Sequence, residues 1–337
     1  MKLPTKDERI PLYFREKGRP PGTWQLQHRL YIDRPSSEVA DEIGNVYSID
    51  STCLEIIDES QKRIQMIGQG WVLGLAFATL SFLGFAMIIS GFKNDSPEVV
   101  GRPGYWPAML IGLIMMASAT GFFGFIAGES MRRNLFTLKR RPIRLNRKNH
   151  RIYAMRTKGA EGIWEVPWSN EEFFCVGVSK KGGLSRSYEM YDIRHYKLDA
   201  DGNVVRAFVL GQQMFTLEQA QQQWEYYRRY MQDGPANLPE PKFFWAPQEG
   251  FWEGFKICRG DLRSAGDLIF LPMILLDATF RWLTLVTCSD PVWPPEIEAA
   301  CKPTPNDPYV RPHADEFIGV PNGPDARPGI EDGNHHV

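Results

Sequence analysis

The sequence lacks the short motifs by which many enzymes are recognised. It has no Gly-x-Gly-x-x-Gly turn, and the GxxxxGK[ST], GxSxG and HExxH signatures of phosphate-binding loops, serine hydrolases and zinc proteases are missing. An excess of basic residues is missing as well, because 39 Lys and Arg residues balance 40 Asp and Glu residues. A nucleic-acid-binding domain needs such an excess. We therefore expect no catalytic residue, no metal, no cofactor and no nucleic-acid partner.

Closely spaced cysteines are also missing. The chain has five cysteines, none of them in a Cys-x-x-Cys pair: Cys53, Cys175, Cys258, Cys288 and Cys301. An odd number of widely spaced cysteines does not indicate a disulfide framework. The sequence predicts reduced thiols with a structural role.

Charge is absent from two long stretches, residues 64–92 and residues 103–128. About 20 apolar residues in a helix cross the hydrocarbon core of a bilayer, so each stretch is long enough to span. Residues 93–102 are too few to carry the chain back across, which predicts an antiparallel transmembrane hairpin with both chain ends on one side. A buried helical hairpin in a soluble protein is the alternative, and two adjacent uncharged stretches of this length disfavour it.

Basic residues around the two stretches predict the orientation of the hairpin. Lys62 and Arg63 precede the first stretch and many more basic residues follow the second, whereas the connecting loop has only Lys93 and Arg102. Lys and Arg near span ends remain on the cytoplasmic side, so both termini are expected in the cytoplasm. The start of the chain has no continuous apolar region of the signal-peptide kind, and no cleavage is expected.

Small residues recur at intervals of four within both stretches: Gly70, Gly74, Ala78, Ala117 and Gly121. This spacing lets two helix backbones approach closely in lipid. The simplest use is the packing of the two helices of the hairpin against each other, and a homodimer through the same face is the open alternative.

A strongly basic segment follows the second stretch. Residues 130–160 contain eleven Lys or Arg residues and no Asp or Glu. Six of them are expected at the membrane surface: Arg132, Arg133, Lys139, Arg140, Arg141 and Arg144. They would hold the following domain near anionic lipid at up to about 1 kcal/mol per residue. Ordinary retention on the cytoplasmic side is the competing explanation.

Residues 130–235 have the pattern of an antiparallel β domain closed by a helix. Five or six strands are expected between 142 and 210, with Asp201 and Gly202 in a hairpin turn. Thr216 and Gln219 form a capping box before an amphipathic helix that ends near Gly234. This order is similar to a pleckstrin-homology-like (PH-like) domain, and residues 1–63, a cytoplasmic segment, have runs that could add strands to it. The predicted fold class is an α+β membrane protein.

The remaining residues divide into two parts. Residues 236–288 form an aromatic linker with a third apolar segment, 268–287, that Pro272 interrupts and charged residues punctuate. A helix at the membrane surface or over the sheet is therefore favoured over a third span. Residues 289–337 are rich in proline and acidic residues; the part around Trp293 is expected to dock on the β domain and the rest to be mobile.

Several segments in this order resemble one bacterial family. They are GNVYSIDSTCLEIID before the hairpin, RPIRLNRKNHRIYAMR and EVPW after it, WEYYRRYMQDGPANLP on the helix and DPVWPPEIEAAC near the end. The chain is similar to members of domain-of-unknown-function family 6708 over about residues 25–310. The resemblance implies a bacterial inner-membrane protein associated with type VI secretion toxins, and it implies no active-site residues.

Two functional hypotheses follow from these observations. The first is a membrane-anchored binding protein whose cytoplasmic domain recognises a protein partner, a toxin or a secretion component, as an accessory or immunity protein. The second is a membrane-associated enzyme that acts on lipid or envelope precursors. A compact cavity with converging polar side chains favours the second hypothesis.

Overall fold

The computed structural model of the chain describes residues 16–58, 67–182, 187–242, 244–245, 250–259, 271–312 and 318–319. The expectations for the chain start, for Lys62 and Arg63 and for most of the tail after residue 312 lie outside these residues. Within them the chain is α+β, with antiparallel sheets and two long apolar helices.

The described helices are numbered in chain order: α1 (Thr23–Gln27), α2 (Ile67–Asn94), α3 (Pro97–Val100), α4 (Tyr105–Asn134), α5 (Leu217–Asp233), α6 (Phe251–Arg259), α7 (Leu271–Val286) and α8 (Pro295–Ala300). α2 and α4 are long and apolar enough to cross a membrane by length and composition.

The chain segments on both sides of the helical hairpin form a five-stranded antiparallel sheet. Its strands are, in order across the sheet, β2 (Val46–Ile49), β3 (Cys53–Ile56), β4 (Ile143–Asn146), β5 (Arg151–Met155) and β6 (Ile163–Pro167). Since β3 precedes α2 and β4 follows α4, the helical hairpin is an insertion between two neighbouring strands. The N-terminal segment therefore contributes strands to the β domain.

A four-stranded antiparallel sheet contains the longer strands. Its order is β1 (Arg29–Leu30), β7 (Phe173–Gly182), β8 (Ser187–Leu198) and β9 (Val204–Met214). Asp199 and Gly202 close the β8–β9 turn, and Gly202 has the positive φ (80°) that such a turn requires. Six strands thus lie between 143 and 214, which confirms the five or six expected. β10 (Phe244–Trp245) and β11 (Ile318–Gly319) form a short parallel pair.

α5 packs against both sheets and completes their common core. Thr216 caps its first turn by accepting a hydrogen bond from the Gln219 amide, and the Gln219 side chain accepts one from the Phe215 amide. Trp224 is fully buried, with its ring stacked on Trp168 at 5.1 Å between centroids. The predicted capping box and the packed aromatic face of this helix are therefore confirmed.

The outer surface of the α2–α4 pair is strongly apolar. Among the described residues of α2 and α4, only Gly74 and Ala127 are buried, and the others are half-buried or exposed. Met87 and Phe125 are 74% and 72% exposed. Contacts between the helices are close, with Phe77 and Phe123 stacked at 5.0 Å between ring centroids. Neither helix contributes to the main hydrophobic core of the β domain.

α7, the described part of the third apolar segment, packs beside α2. The Trp71 indole donates a hydrogen bond to the Thr284 hydroxyl at 2.9 Å, and its ring meets Phe280 edge-on. The chain after α7 is tied to the end of α4, because the Ser289 amide donates to the Thr137 carbonyl at 3.0 Å. Pro272 belongs to the described part of α7, which begins at Leu271.

Candidate functional site

Two of the basic residues expected at the membrane surface are instead bound to one buried carboxylate. Glu55 on β3 accepts hydrogen bonds from Arg140 at 2.8 Å and from Arg144 at 2.6 Å. Glu55 and Arg144 are Cα partners across β3 and β4, so the strand register itself brings the charges together. Both arginine side chains are mostly buried. Their first role in this fold is to neutralise an internal acid.

The other expected surface residues have mixed surroundings. Arg132 is exposed and pairs with Glu129 at 2.6 Å one turn earlier on α4, and Lys139 pairs with Asp290 at 3.1 Å. Arg141 is half-buried. Arg133 belongs to α4, and its side chain lies outside the described part of the chain. Local carboxylates thus offset much of the positive charge that the sequence shows.

The small residues of the hairpin do not all face the same way. A Cβ on Gly74 would lie 2.8 Å from the Cβ of Ala127, so Gly74 is where α2 touches α4. Ala78 is half-buried in the same helix, to which Gly70 also belongs. Ala117 and Gly121 are exposed, and nothing lies within 4 Å of a Cβ on Gly121.

A cleft of about 550 Å³ opens between the five-stranded sheet and α8. Its walls come from three separate parts of the chain: Ser48, Asp50, Cys53 and Glu55 from β2, β3 and the turn between them, Arg144 from β4, and Pro295, Glu298, Ala299, Cys301, Lys302 and Pro303 from α8 and the residues after it. The cleft is the candidate functional site, because it lies where the segments on both sides of the hairpin meet the C-terminal segment.

Arg144 connects the two sides of this cleft. It binds Glu55 on the sheet and Glu298 on α8, the latter at 2.8 Å. Its guanidinium also lies 4.7 Å from the ring centroid of Trp293, which is buried. Burial lowers the pKa of Arg144, but the Glu55 and Glu298 carboxylates together raise it by more, so the guanidinium stays charged. The docking of Trp293 on the β domain, expected from the sequence, is confirmed.

Asp50 shapes the turn that leads into the cleft. Its carboxylate accepts hydrogen bonds from the amides of Thr52 at 2.6 Å and Cys53 at 2.8 Å, a pattern typical of an Asx turn. The Ser51 amide donates to the Asp307 carboxylate at 2.8 Å, which fastens the segment after α8 to the same turn. Cys53 is thereby held at the base of the cleft.

Two thiols meet at the base of the cleft. The Asn146 side-chain amide donates to the Ala300 carbonyl at 2.7 Å and to the Cys301 sulfur at 3.4 Å. A hydrogen bond with the Cys53 thiol lowers the pKa of Cys301 to about 7 despite partial burial, and Asn146 and Arg144 act in the same direction. The same hydrogen bond, together with burial, raises the pKa of Cys53.

The cleft groups suit binding better than metal coordination. In the described ranges no group of three or more His, Cys, Asp or Glu side chains is arranged to hold a metal ion. The charged groups Glu55, Arg144 and Glu298 are paired with one another. Cys53 and Cys301 are the two thiols among the lining residues of the cleft.

The sequence alone does not indicate this site, although its parts belong to the segments that carry the family resemblance. Cys53 and Glu55 come from GNVYSIDSTCLEIID, Arg144 and Asn146 from RPIRLNRKNHRIYAMR, and Cys301 from DPVWPPEIEAAC. Each segment contains one wall of the cleft. The presence of all three segments in one chain is a signal in the sequence, but it does not indicate that the segments contact one another in the fold.

Comparison with known proteins gives a family and no further relative. Residues 122–305 match the model of a family described as "Family of unknown function (DUF6708)". No curated protein matches the chain, and no solved structure matches it. The matched region begins within α4 and includes β4–β9 and the α8 wall of the cleft. Because the match covers more than half of the residues, the chain belongs to the DUF6708 family.

Proposed function

We propose that this protein is a membrane-anchored binding protein, in which the α2–α4 hairpin spans a bilayer and the β domain recognises a protein partner. One observation carries the proposal: the large apolar side chains of both helices point outward, with Met87 and Phe125 more than 70% exposed. Burying one such side chain stabilises a protein by about 1.5–3 kcal/mol. Exposing so many apolar side chains of α2 and α4 to water would be very unfavourable. Contact with lipid removes this free-energy cost.

The connection of the hairpin to the sheet supports one side for both flanks. β3 precedes α2 in the chain and β4 follows α4, and the two strands are hydrogen-bonded neighbours. A hairpin that crosses the bilayer twice returns the chain to the side from which it started. The pairing of β3 with β4 requires this, because both strands must lie on the same side. The basic residues beyond α4 favour the cytoplasmic side. We place both termini there, in the inner membrane of a bacterium.

The β domain is proposed to be PH-like. Two antiparallel sheets with one helix after the last strand, packed on their common core, are features that a PH-like fold shares. Such a fold does not define a ligand. The partner class comes instead from the family resemblance, which implies a type VI secretion toxin or secretion component. The protein is then an accessory or immunity protein.

The cleft is the proposed contact region for this partner. Glu298 lies at its rim with a side chain that is 62% exposed, so it is available to a partner while still bound to Arg144. A charge reversal, Glu298→Arg, is expected to weaken partner binding about tenfold or more. Glu165→Arg is the matched control, because Glu165 is an exposed ion-pair residue on β6, away from the cleft lining.

Survival in sibling competition tests the proposal. The family resemblance implies a secreted-toxin gene beside this one. A strain that lacks both genes is expected to be killed by its parent, and to survive when the wild-type protein or the Glu165→Arg variant is restored. The Glu298→Arg variant is expected to protect poorly. Unchanged survival of the deletion strain would refute the immunity role, and equal protection by both variants would refute the cleft as the contact region.

One observation favours a second candidate, a membrane-associated enzyme acting on lipid or envelope precursors. The cleft volume of about 550 Å³ is within the range of small-molecule sites. Purified protein in detergent would be incubated with a lipid extract and the products analysed by mass spectrometry. Conversion that a Cys301→Ser variant loses supports the enzyme; an unchanged lipid profile counts against it.

A further inference from the structure

Two cysteines that are far apart in the chain come together beneath α8. Cys53 begins β3, and Cys301 follows directly after α8. Both are buried in one cluster with Tyr153, Met155 and Trp293, and both line the cleft. Both are reduced in this structure. The cleft gives small solutes a path to sulfur atoms that the cluster otherwise shields.

The surroundings of the two sulfurs differ in a way that assigns them different roles. Cys301 receives a hydrogen bond from the Asn146 amide at 3.4 Å and lies near the Arg144 guanidinium, and both favour a thiolate. Interaction with the neighbouring Cys53 thiol lowers the pKa of Cys301 to about 7, whereas the same interaction and burial raise the pKa of Cys53. Cys175, by contrast, is buried within the other sheet, and burial raises its pKa.

We propose that Cys53 and Cys301 form a redox-active dithiol site, in which a small peroxide oxidises Cys301 and Cys53 then closes a disulfide with it. This proposal does not rest on the membrane role or on the identity of a partner. It assigns a modification site to a pair of thiols for which the sequence predicts only a structural role.

The chemistry requires one peroxide per disulfide. The Cys301 thiolate attacks one oxygen of hydrogen peroxide; the O–O bond breaks, hydroxide leaves and takes up a proton to become water, and Cys301 becomes a sulfenic acid. Cys53 then gives up its thiol proton and attacks the sulfenic sulfur. The S–S bond forms as the S–O bond breaks, and the departing hydroxide takes that proton as the second water. The sulfurs lose two electrons and the peroxide gains them.

The disulfide would change how the C-terminal segment is attached. In the reduced protein, α8 is held by Arg144 and by the Asn146 hydrogen bonds. A disulfide between Cys301 and Cys53 would join the end of α8 covalently to β3. It would close a loop that contains all the residues between these two cysteines. Oxidation would therefore fix one wall of the cleft against the other. A cellular thiol would reverse it by exchange.

Thiol mapping of the full-length protein in detergent tests the proposal. The reduced protein would be treated with limiting hydrogen peroxide, its remaining thiols alkylated after unfolding in denaturant, and its peptides identified by mass spectrometry without reduction. The expected product is one peptide pair linked through Cys53 and Cys301, with Cys175 and Cys288 still alkylated. Alkylation of Cys301 at pH 7 is expected to be about tenfold faster than that of Cys175.

Three variants separate the two roles. Cys53→Ser is expected to leave a sulfenic acid at Cys301 that dimedone traps, whereas Cys301→Ser is expected to leave Cys53 unoxidised. Cys175→Ser is the control and is expected to behave as the wild type. Peptide mapping of the wild type needs no variant to fold. A wild-type protein in which Cys53 and Cys301 remain as alkylatable as Cys175, or are linked to other cysteines, would overturn the proposal.

Discussion

Glu55 and Arg144 are direct partners across β3 and β4, although the entire helical hairpin lies between them in the chain. Their ion pair, 2.6 Å between Arg144 Nε and Glu55 Oε2, joins the two strands between which the hairpin is inserted. The same arginine holds Glu298 on α8. The hairpin, the sheet and the C-terminal segment are therefore joined through one guanidinium.

Glu55→Gln is expected to destabilise the protein strongly. The substitution removes the only charge of Glu55 and leaves the mostly buried Arg140 and Arg144 without that carboxylate. Removing one partner of a buried ion pair costs about 3–5 kcal/mol. Denaturant unfolding in detergent, followed by tryptophan fluorescence, measures the loss. Glu165→Gln at the exposed Arg151 pair is the control and is expected to cost less than about 1 kcal/mol; equal losses would contradict this account.

Gly74→Leu is expected to separate the two long helices. A Cβ at this position would already lie 2.8 Å from Ala127, so a larger side chain forces α2 away from α4. Overpacking of this kind costs about 1–3 kcal/mol. Thermal unfolding in detergent is expected to show a lower Tm. Gly121→Leu tests the same change on an exposed position with open space around it, and a Tm loss as large as that of Gly74→Leu would disprove the assigned contact face.

Glu42 is expected to make the protein less stable as the pH rises. Burial and the neighbouring Asp41 raise the pKa of Glu42 from 4.5 to about 7. The folded state therefore holds a proton that the unfolded state releases, and stability falls between about pH 4.5 and pH 7 and then levels off. The loss is at most about 3 kcal/mol.

Glu42→Gln isolates this contribution. Gln has the shape of the protonated acid and can still accept the hydrogen bond that the Lys242 amide donates to Glu42 at 3.0 Å. The free energy of unfolding, measured at pH 5 and pH 8, is expected to fall less in the variant than in the wild type. Identical changes in both proteins would show that Glu42 does not titrate in this range.

Local patterns were sufficient to predict much of the fold. The uncharged stretches correspond to α2 and α4, and the alternating runs correspond to β4–β9. The Thr216 capping box begins α5 as expected. Each of these features depends on residues only a few positions apart, so each leaves a readable spacing in the sequence.

The cleft could not be predicted in this way. Its geometry depends on the β3–β4 register across an inserted hairpin, and no local spacing encodes that register. Arg140 and Arg144 therefore looked like membrane-facing charges, since their partner Glu55 precedes the hairpin. Cys53 and Cys301 looked unrelated for the same reason. Likewise, the contact of α7 with α2 through Trp71 depends on a packing that composition does not specify.

Cysteine labelling on intact spheroplasts tests most directly whether the hairpin spans the membrane with both flanks inside. Ser96, between α2 and α3, and Glu161, in the β domain, are both exposed. An impermeant maleimide is expected to label a Ser96→Cys variant immediately. The wild type, with its five native cysteines, and a Glu161→Cys variant are expected to react only after permeabilisation. Labelling of Glu161→Cys on intact spheroplasts, or protection of Ser96→Cys, would contradict the proposed topology.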